Sequence, residues 1–134
     1  MNKAEYVPHY APAEAKAKEL CKGVKSLQER YEIVTKYVSD KFVYDYIRAI
    51  TIPKRNGMPD VARCWNQRMG ICLDIASLTT GMLRAVSIPA NLVIGWADGY
   101  YHAWVETRID GRRYLYDHDD PAGNVKVYKK EKMY

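Results

Sequence analysis

Apolar positions recur at helical spacing in the first two thirds of the chain and then switch to a two-residue period. Ala13 to Lys22 is rich in helix formers and stops before Gly23, a residue suited to a helix end. Ser26-Leu27-Gln28-Glu29 reads as a capping box and opens a helix expected over 27–41, with Tyr31, Val34, Val38 and Phe42 on its core face. Ile71, Ile75, Leu78 and Met82 mark a further helix, which closes before Ile88-Pro89. The period then changes. Asn91 to Ala97, Tyr101 to Ile109 and Arg112 to Asp117 are β-rich runs separated by Asp98-Gly99 and Asp110-Gly111 turns. The pattern predicts an α+β fold, with N-terminal helices packed on an antiparallel meander.

The remaining stretches are read more coarsely. Residues 1–12 carry Pro8 and Pro12 and read as an arm. Ile52 to Asp60 holds two Pro and one Gly in nine residues and reads as a loop that flanks a site. Val61 to Met69 leads into the helix that follows. Val125, Val127 and Tyr128 suggest an edge strand, and the basic tail after them is expected to fray. With 134 residues, 48% of them hydrophobic, a single domain over 1–134 can build its own core.

Charge and cysteine content narrow the function. A formal charge of +5, partly gathered in Lys126, Lys129, Lys130 and Lys132, comes without a nucleic-acid reading motif, so a solvated tail is the better reading. No apolar run approaches the ~18 residues of a membrane span. The first residues show no apolar leader. An exported protein with its leader removed would read the same, so the compartment stays open. Three cysteines, Cys21, Cys64 and Cys72, leave at least one thiol without an intrachain partner.

Cys72 is the thiol placed for chemistry. It falls in the first turn of its helix, where free N–H groups and the positive dipole end favour a thiolate. Cys21 reads as a small buried hydrophobe. A thiol nucleophile needs a base and a group to orient that base. On the middle strand His102, Trp104 and Glu106 share one face. A tight turn at Asp110-Gly111 sets Val105 opposite Tyr116, Trp104 opposite Asp117 and His102 opposite Asp119, so both carboxylates fall within reach of His102. Upstream, Asn66 and Gln67 are amides that could bind an oxyanion. Trp96, Tyr100, Tyr101 and Trp104 could wall a substrate groove.

Gly70-Ile71-Cys72-Leu73-Asp74-Ile75-Ala76, Leu83-Arg84-Ala85-Val86-Ser87-Ile88-Pro89-Ala90, His102-Ala103-Trp104-Val105-Glu106 and Tyr114-Leu115-Tyr116-Asp117 follow one another in order. Together they resemble the core domain of the transglutaminase-like superfamily, of papain-like ancestry, over about residues 24–121. The resemblance implies Cys72 as nucleophile, His102 as base and Asp117 as orienter. It departs from the family after the third strand, where His118-Asp119-Asp120-Pro121 stands in place of Asp-Pro. Asp119 is therefore the alternative third member.

The implied chemistry is acyl transfer on a peptide bond or a glutamine side chain through a thioester, released by a primary amine or by water. A peptide or protein substrate is the expected partner. No cofactor is expected. No acidic run resembles a calcium loop, and the Cys64 and Cys72 spacing does not suit zinc with His102 and His118. The competing reading is a non-catalytic peptide-binding module on the same fold.

Overall fold

The computed structural model describes residues 3–51 and 57–134. Six helices occur among them: α1 (Lys3–Tyr6), α2 (Ala11–Leu20), α3 (Leu27–Lys41), α4 (Tyr46–Thr51), α5 (Val61–Gln67) and α6 (Cys72–Ala85). Two short strands, β1 (Val43–Tyr44) and β2 (Met69–Gly70), pair in parallel. Four more, β3 (Asn91–Ala97), β4 (Tyr100–Ile109), β5 (Arg112–Tyr116) and β6 (Tyr128–Met133), form an antiparallel sheet in the order β5-β4-β3-β6. None of these helices is long and apolar enough to cross a membrane.

α6 is the central helix. It packs against α2, α3 and α5 on one side and against β3 and β4 on the other. Ile75, Leu78, Met82 and Leu83 are buried along it. The core face of α3 buries Tyr31, Val34 and Val38, with Phe42 at its end. Ser26 caps that helix by accepting the Glu29 N–H at 3.3 Å. Both Asp-Gly turns place Asp and Gly at positive φ, which fits the two-residue turns of tight hairpins.

Three expectations need correction. The tail does not fray: Tyr128–Met133 forms β6, and Tyr134 exchanges backbone hydrogen bonds with Leu92 at 2.8 and 3.0 Å. Charge alone reads as solvated, but a backbone ladder on β3 accepts a lysine-rich strand at the sheet edge, where such residues suit solvent. The described part of the arm, residues 3–12, is docked on the body of the domain. Ser77 donates to the Tyr6 carbonyl at 2.6 Å, and the Tyr6 ring stacks on Tyr134 at 4.1 Å. α2 accordingly begins at Ala11, with Pro12 tolerated in its first turn. Finally, 61–67 is itself a helix, capped by Asp60 accepting the Arg63 N–H at 3.1 Å and closed by Arg68 at positive φ. Of the expected loop over 52–60, residues 52–56 lie outside the described ones.

Candidate active site

Cys72 is the first residue of α6, and three devices fix that helix start. Buried Asp74 accepts the Ile71 N–H at 3.1 Å and the Asp60 N–H at 2.9 Å. It also lies 3.4 Å from Arg48 Nε. The carboxylate thereby joins α4, α5 and α6 at the point where the sulfur emerges. Gly70 completes the approach. A Cβ there would meet Cys64 Sγ at 2.9 Å and Asp74 Cβ at 3.0 Å, so a larger residue would push the turn away from the helix. The first N–H groups of α6 have no intrahelical partner by construction and are available to an anion.

The three cysteines are not equivalent. Cys21 and Cys64 are buried and Cys72 is half-buried. Burial pushes the Cys64 thiol up to about 12, and the neighbouring Asp74 and Asp60 charges add to the shift. Burial raises Cys21 as well. Both thiols are therefore poor nucleophiles.

His102 comes from β4 and is set opposite Gly95 on β3. A Cβ at Gly95 would collide with the Lys129 carbonyl oxygen and press on the Trp104 ring, so glycine lets β6 close over this part of the sheet. Nε2 of His102 lies 2.9 Å from both carboxylate oxygens of Asp117. With Nε2 committed there, Nδ1 is the nitrogen left for Cys72, whose sulfur lies within 4.8 Å of a ring nitrogen. Burial alone would depress the imidazole. The hydrogen bonds and charges of Asp117 and Cys72 outweigh it and raise its pKa to about 10.

Asp117 is buried and well supplied with donors. Besides His102 it accepts the Tyr128 hydroxyl at 2.9 Å and the Asp119 N–H at 3.1 Å. Tyr128 was legible only as an edge-strand residue. Its role depends on β6 folding back across the sheet, which no local pattern announces. Asp119 does not take the place opposite His102 that strand counting gives it. The ladder runs as counted from Ile109↔Arg112 to Val105↔Tyr116 and then stops. A turn with Asp120 N–H on the Asp117 carbonyl at 3.1 Å takes over. The Asp119 carboxylate instead lies beside the sulfur: ligand atoms of Cys72, His102 and Asp119 all fall within 4.8 Å of one another.

The remaining sequence candidates are dispersed. Asn66 and Gln67 are exposed on α5, and neither lines the cleft at Cys72. The four aromatics do not form one wall, because strand alternation separates them. Trp96 and Tyr101 are paired across β3 and β4, with ring centroids 5.1 Å apart, on the face opposite His102. Trp104 shares the His102 face and is fully buried, with its indole N–H on Glu106 at 2.8 Å. Tyr100, next to the turn, is largely exposed.

The cleft itself holds about 10 Å³, room for about one water-sized group, between Cys72, Ala76, Trp104, Tyr116, Asp117 and Asp119. His118 closes one side, with Nε2 donating to the Phe42 carbonyl at 2.8 Å. Beside the cleft runs an open groove of about 560 Å³, lined by Tyr44, Tyr46, Ile47, Ala49, Ile50 and again Asp119. In the groove, burial raises the Tyr44 phenol, and the charges of Cys72 and Asp119 raise it further.

Comparison with solved structures finds the same fold in proteins of low identity. A candidate cysteine protease from Cytophaga hutchinsonii superposes with a TM-score of 0.65 at 16% identity, covering 100% of this chain and 55% of that one. The periplasmic domain of TgpA from Pseudomonas aeruginosa gives 0.63 at 21% identity, covering 84% of this chain and 43% of that one. A protein described as a TGase gives 0.62 at 16% identity, covering 89% and 32%. The chain thus spans between about a third and about half of the length of these structures. No curated protein matches the sequence. The profile of the transglutaminase-like superfamily matches residues 14–117, most of the chain, and the chain belongs to that superfamily.

Proposed function

We propose that the protein is a thiol acyltransferase or hydrolase that acts on peptide or glutamine amides through a thioester on Cys72. The observation that carries this reading is the row Cys72–His102–Asp117. The imidazole is fixed to a buried carboxylate through Nε2, and a ring nitrogen lies within 4.8 Å of the sulfur.

The chemistry follows from the proton on that ring. In this reading the Cys72 sulfur attacks the amide carbon as a thiolate, with the proton held on His102. The developing oxyanion is met by backbone N–H groups at the start of α6. As the C–N bond breaks, His102 gives its Nδ1 proton to the leaving amine or ammonia. Water or a primary amine then attacks the thioester, His102 takes up the proton of that nucleophile, and the sulfur leaves as thiolate. Asp117 holds the ring in place throughout.

A peptide or protein substrate suits the surroundings. Tyr46, Ile47 and Ile50 present exposed apolar surface next to a cleft too small for more than the reacting group. Incubation with a glutamine peptide, with and without a primary amine, tests the proposal by mass spectrometry of the peptide. Amine incorporation, a one-unit mass gain from deamidation, or cleavage supports it, each lost in Cys72→Ala. An unchanged peptide across a broad panel, together with tight peptide binding, would favour the non-catalytic module instead.

A further inference from the structure

We propose that Cys72 Sγ, the Cys72-facing nitrogen of His102 and the Asp119 carboxylate form a binding site for a zinc-type divalent ion, and that this ion reversibly arrests the nucleophile. Three ligand atoms of different chemistry already lie within 4.8 Å of one another. Tetrahedral zinc, with ligands at about 2.0–2.3 Å, places its donor atoms roughly 3.5 Å apart. Closure therefore asks for about 1 Å of movement. Asp119 can supply it: it lies past the end of β5, and its carboxylate makes a long contact of 3.4 Å to His118 Nδ1.

The surroundings fit a metal ligand set as well. A histidine that ligates through one nitrogen is held by a carboxylate on the other, and Asp117 occupies that place 2.9 Å from Nε2. Thiolate and carboxylate together balance a divalent charge. A sulfur, nitrogen and oxygen set selects zinc or cobalt over magnesium or calcium. Three protein ligands leave a fourth position for water. Coordination forms metal–sulfur, metal–nitrogen and metal–oxygen bonds and releases the Nδ1 proton of the imidazolium to solvent. The sulfur lone pair is then engaged, and the proton donor is gone. The ion is an inhibitor rather than a resident cofactor. The set is also specific in what it leaves out: Cys64 packs under Gly70, and His118 is spent on the Phe42 carbonyl.

The test titrates the full chain with cobalt(II) and with zinc, without substrate, so its outcome is independent of the acyl-transfer reading. One equivalent should bind, and cobalt should give a sulfur-to-metal charge-transfer band. That band should be absent in Cys72→Ser and in wild-type protein alkylated with iodoacetamide, a control that needs no refolding of a variant. Asp119→Asn, or Asp119→Ala if the first does not fold, should weaken zinc by about tenfold or more. Zinc should also protect Cys72 from iodoacetamide, with reactivity recovered on adding a chelator. No binding, a band that survives loss of Cys72, or wild-type zinc affinity after loss of the Asp119 carboxylate would overturn the proposal.

Discussion

The Tyr128 hydroxyl donates to Asp117 Oδ2 at 2.9 Å, so the last strand of the chain holds the carboxylate that holds His102. Burial raises the Tyr128 phenol, and the Asp117 charge raises it further, which keeps the hydroxyl a donor. Tyr128→Phe removes one of the donors to Asp117 without removing the ring that packs on Trp104 at 4.8 Å. The variant should fold and lose activity by about tenfold, the worth of one hydrogen bond to a charged group. The alkaline limb of its pH profile should move, a change that a purely structural role would not give. Steady-state kinetics across pH measures both.

Asp117 and Asp119 are separable by substitution. Asp117→Asn keeps the shape but removes the charge that orients and stabilises the imidazolium, so kcat should fall by on the order of a hundredfold or more. Asp119→Asn should cost much less, because its carboxylate is not on Nε2. Equal losses would show that the turn after β5 works as one unit.

Two buried groups give stability a pH dependence of opposite sign. His102 has its pKa raised from 6.5 to about 10 on folding, so its contribution is full below 6.5 and fades as pH rises towards about 10. Glu106 also resists burial, but Trp104, Arg113 and Lys130 hold its carboxylate below 4.5. Its contribution is present above that value and is lost as pH falls through the folded range. Thermal melts of wild type and His102→Ala should converge at alkaline pH. Melts of wild type and Glu106→Gln should converge in acid.

The apolar face of α4 is open to a direct check. Ile50 is 84% exposed and lines the groove that shares Asp119 with the cleft. Ile50→Ser should leave the melting temperature and kcat unchanged. It should raise KM for a peptide substrate by about fivefold, the worth of about 1 kcal/mol of apolar contact.

Much of this arrangement was legible in the residues. Period and capping marked α3 and α6 and placed Cys72 at a helix start, and the two Asp-Gly turns fixed a register in which Val105 faces Tyr116 as counted. What the sequence hid depends on chain segments meeting from far apart. β6 looks like solvent-facing charge until β3 offers it a ladder. Asp74 looks like one more residue of a helix start until Arg48 and the Asp60 N–H converge on it. Which carboxylate meets His102 Nε2, that of Asp117 or that of Asp119, turns on a single backbone turn past the end of the ladder, where counting along strands no longer applies. The aromatic wall failed for the opposite reason, since alternation along β4 already sends Tyr101 and Trp104 to different faces.

Trapping the acyl-enzyme tests the central claim most directly. The full chain is mixed with an activated acyl donor, quenched in acid, and its intact mass and peptide map are recorded. The expected result is one acyl group on Cys72, removed by hydroxylamine, absent in Cys72→Ser and much slower to form in His102→Ala. Acylation at Cys21 or Cys64, or none in the folded wild-type protein with any donor tried, would contradict a thioester mechanism at this site.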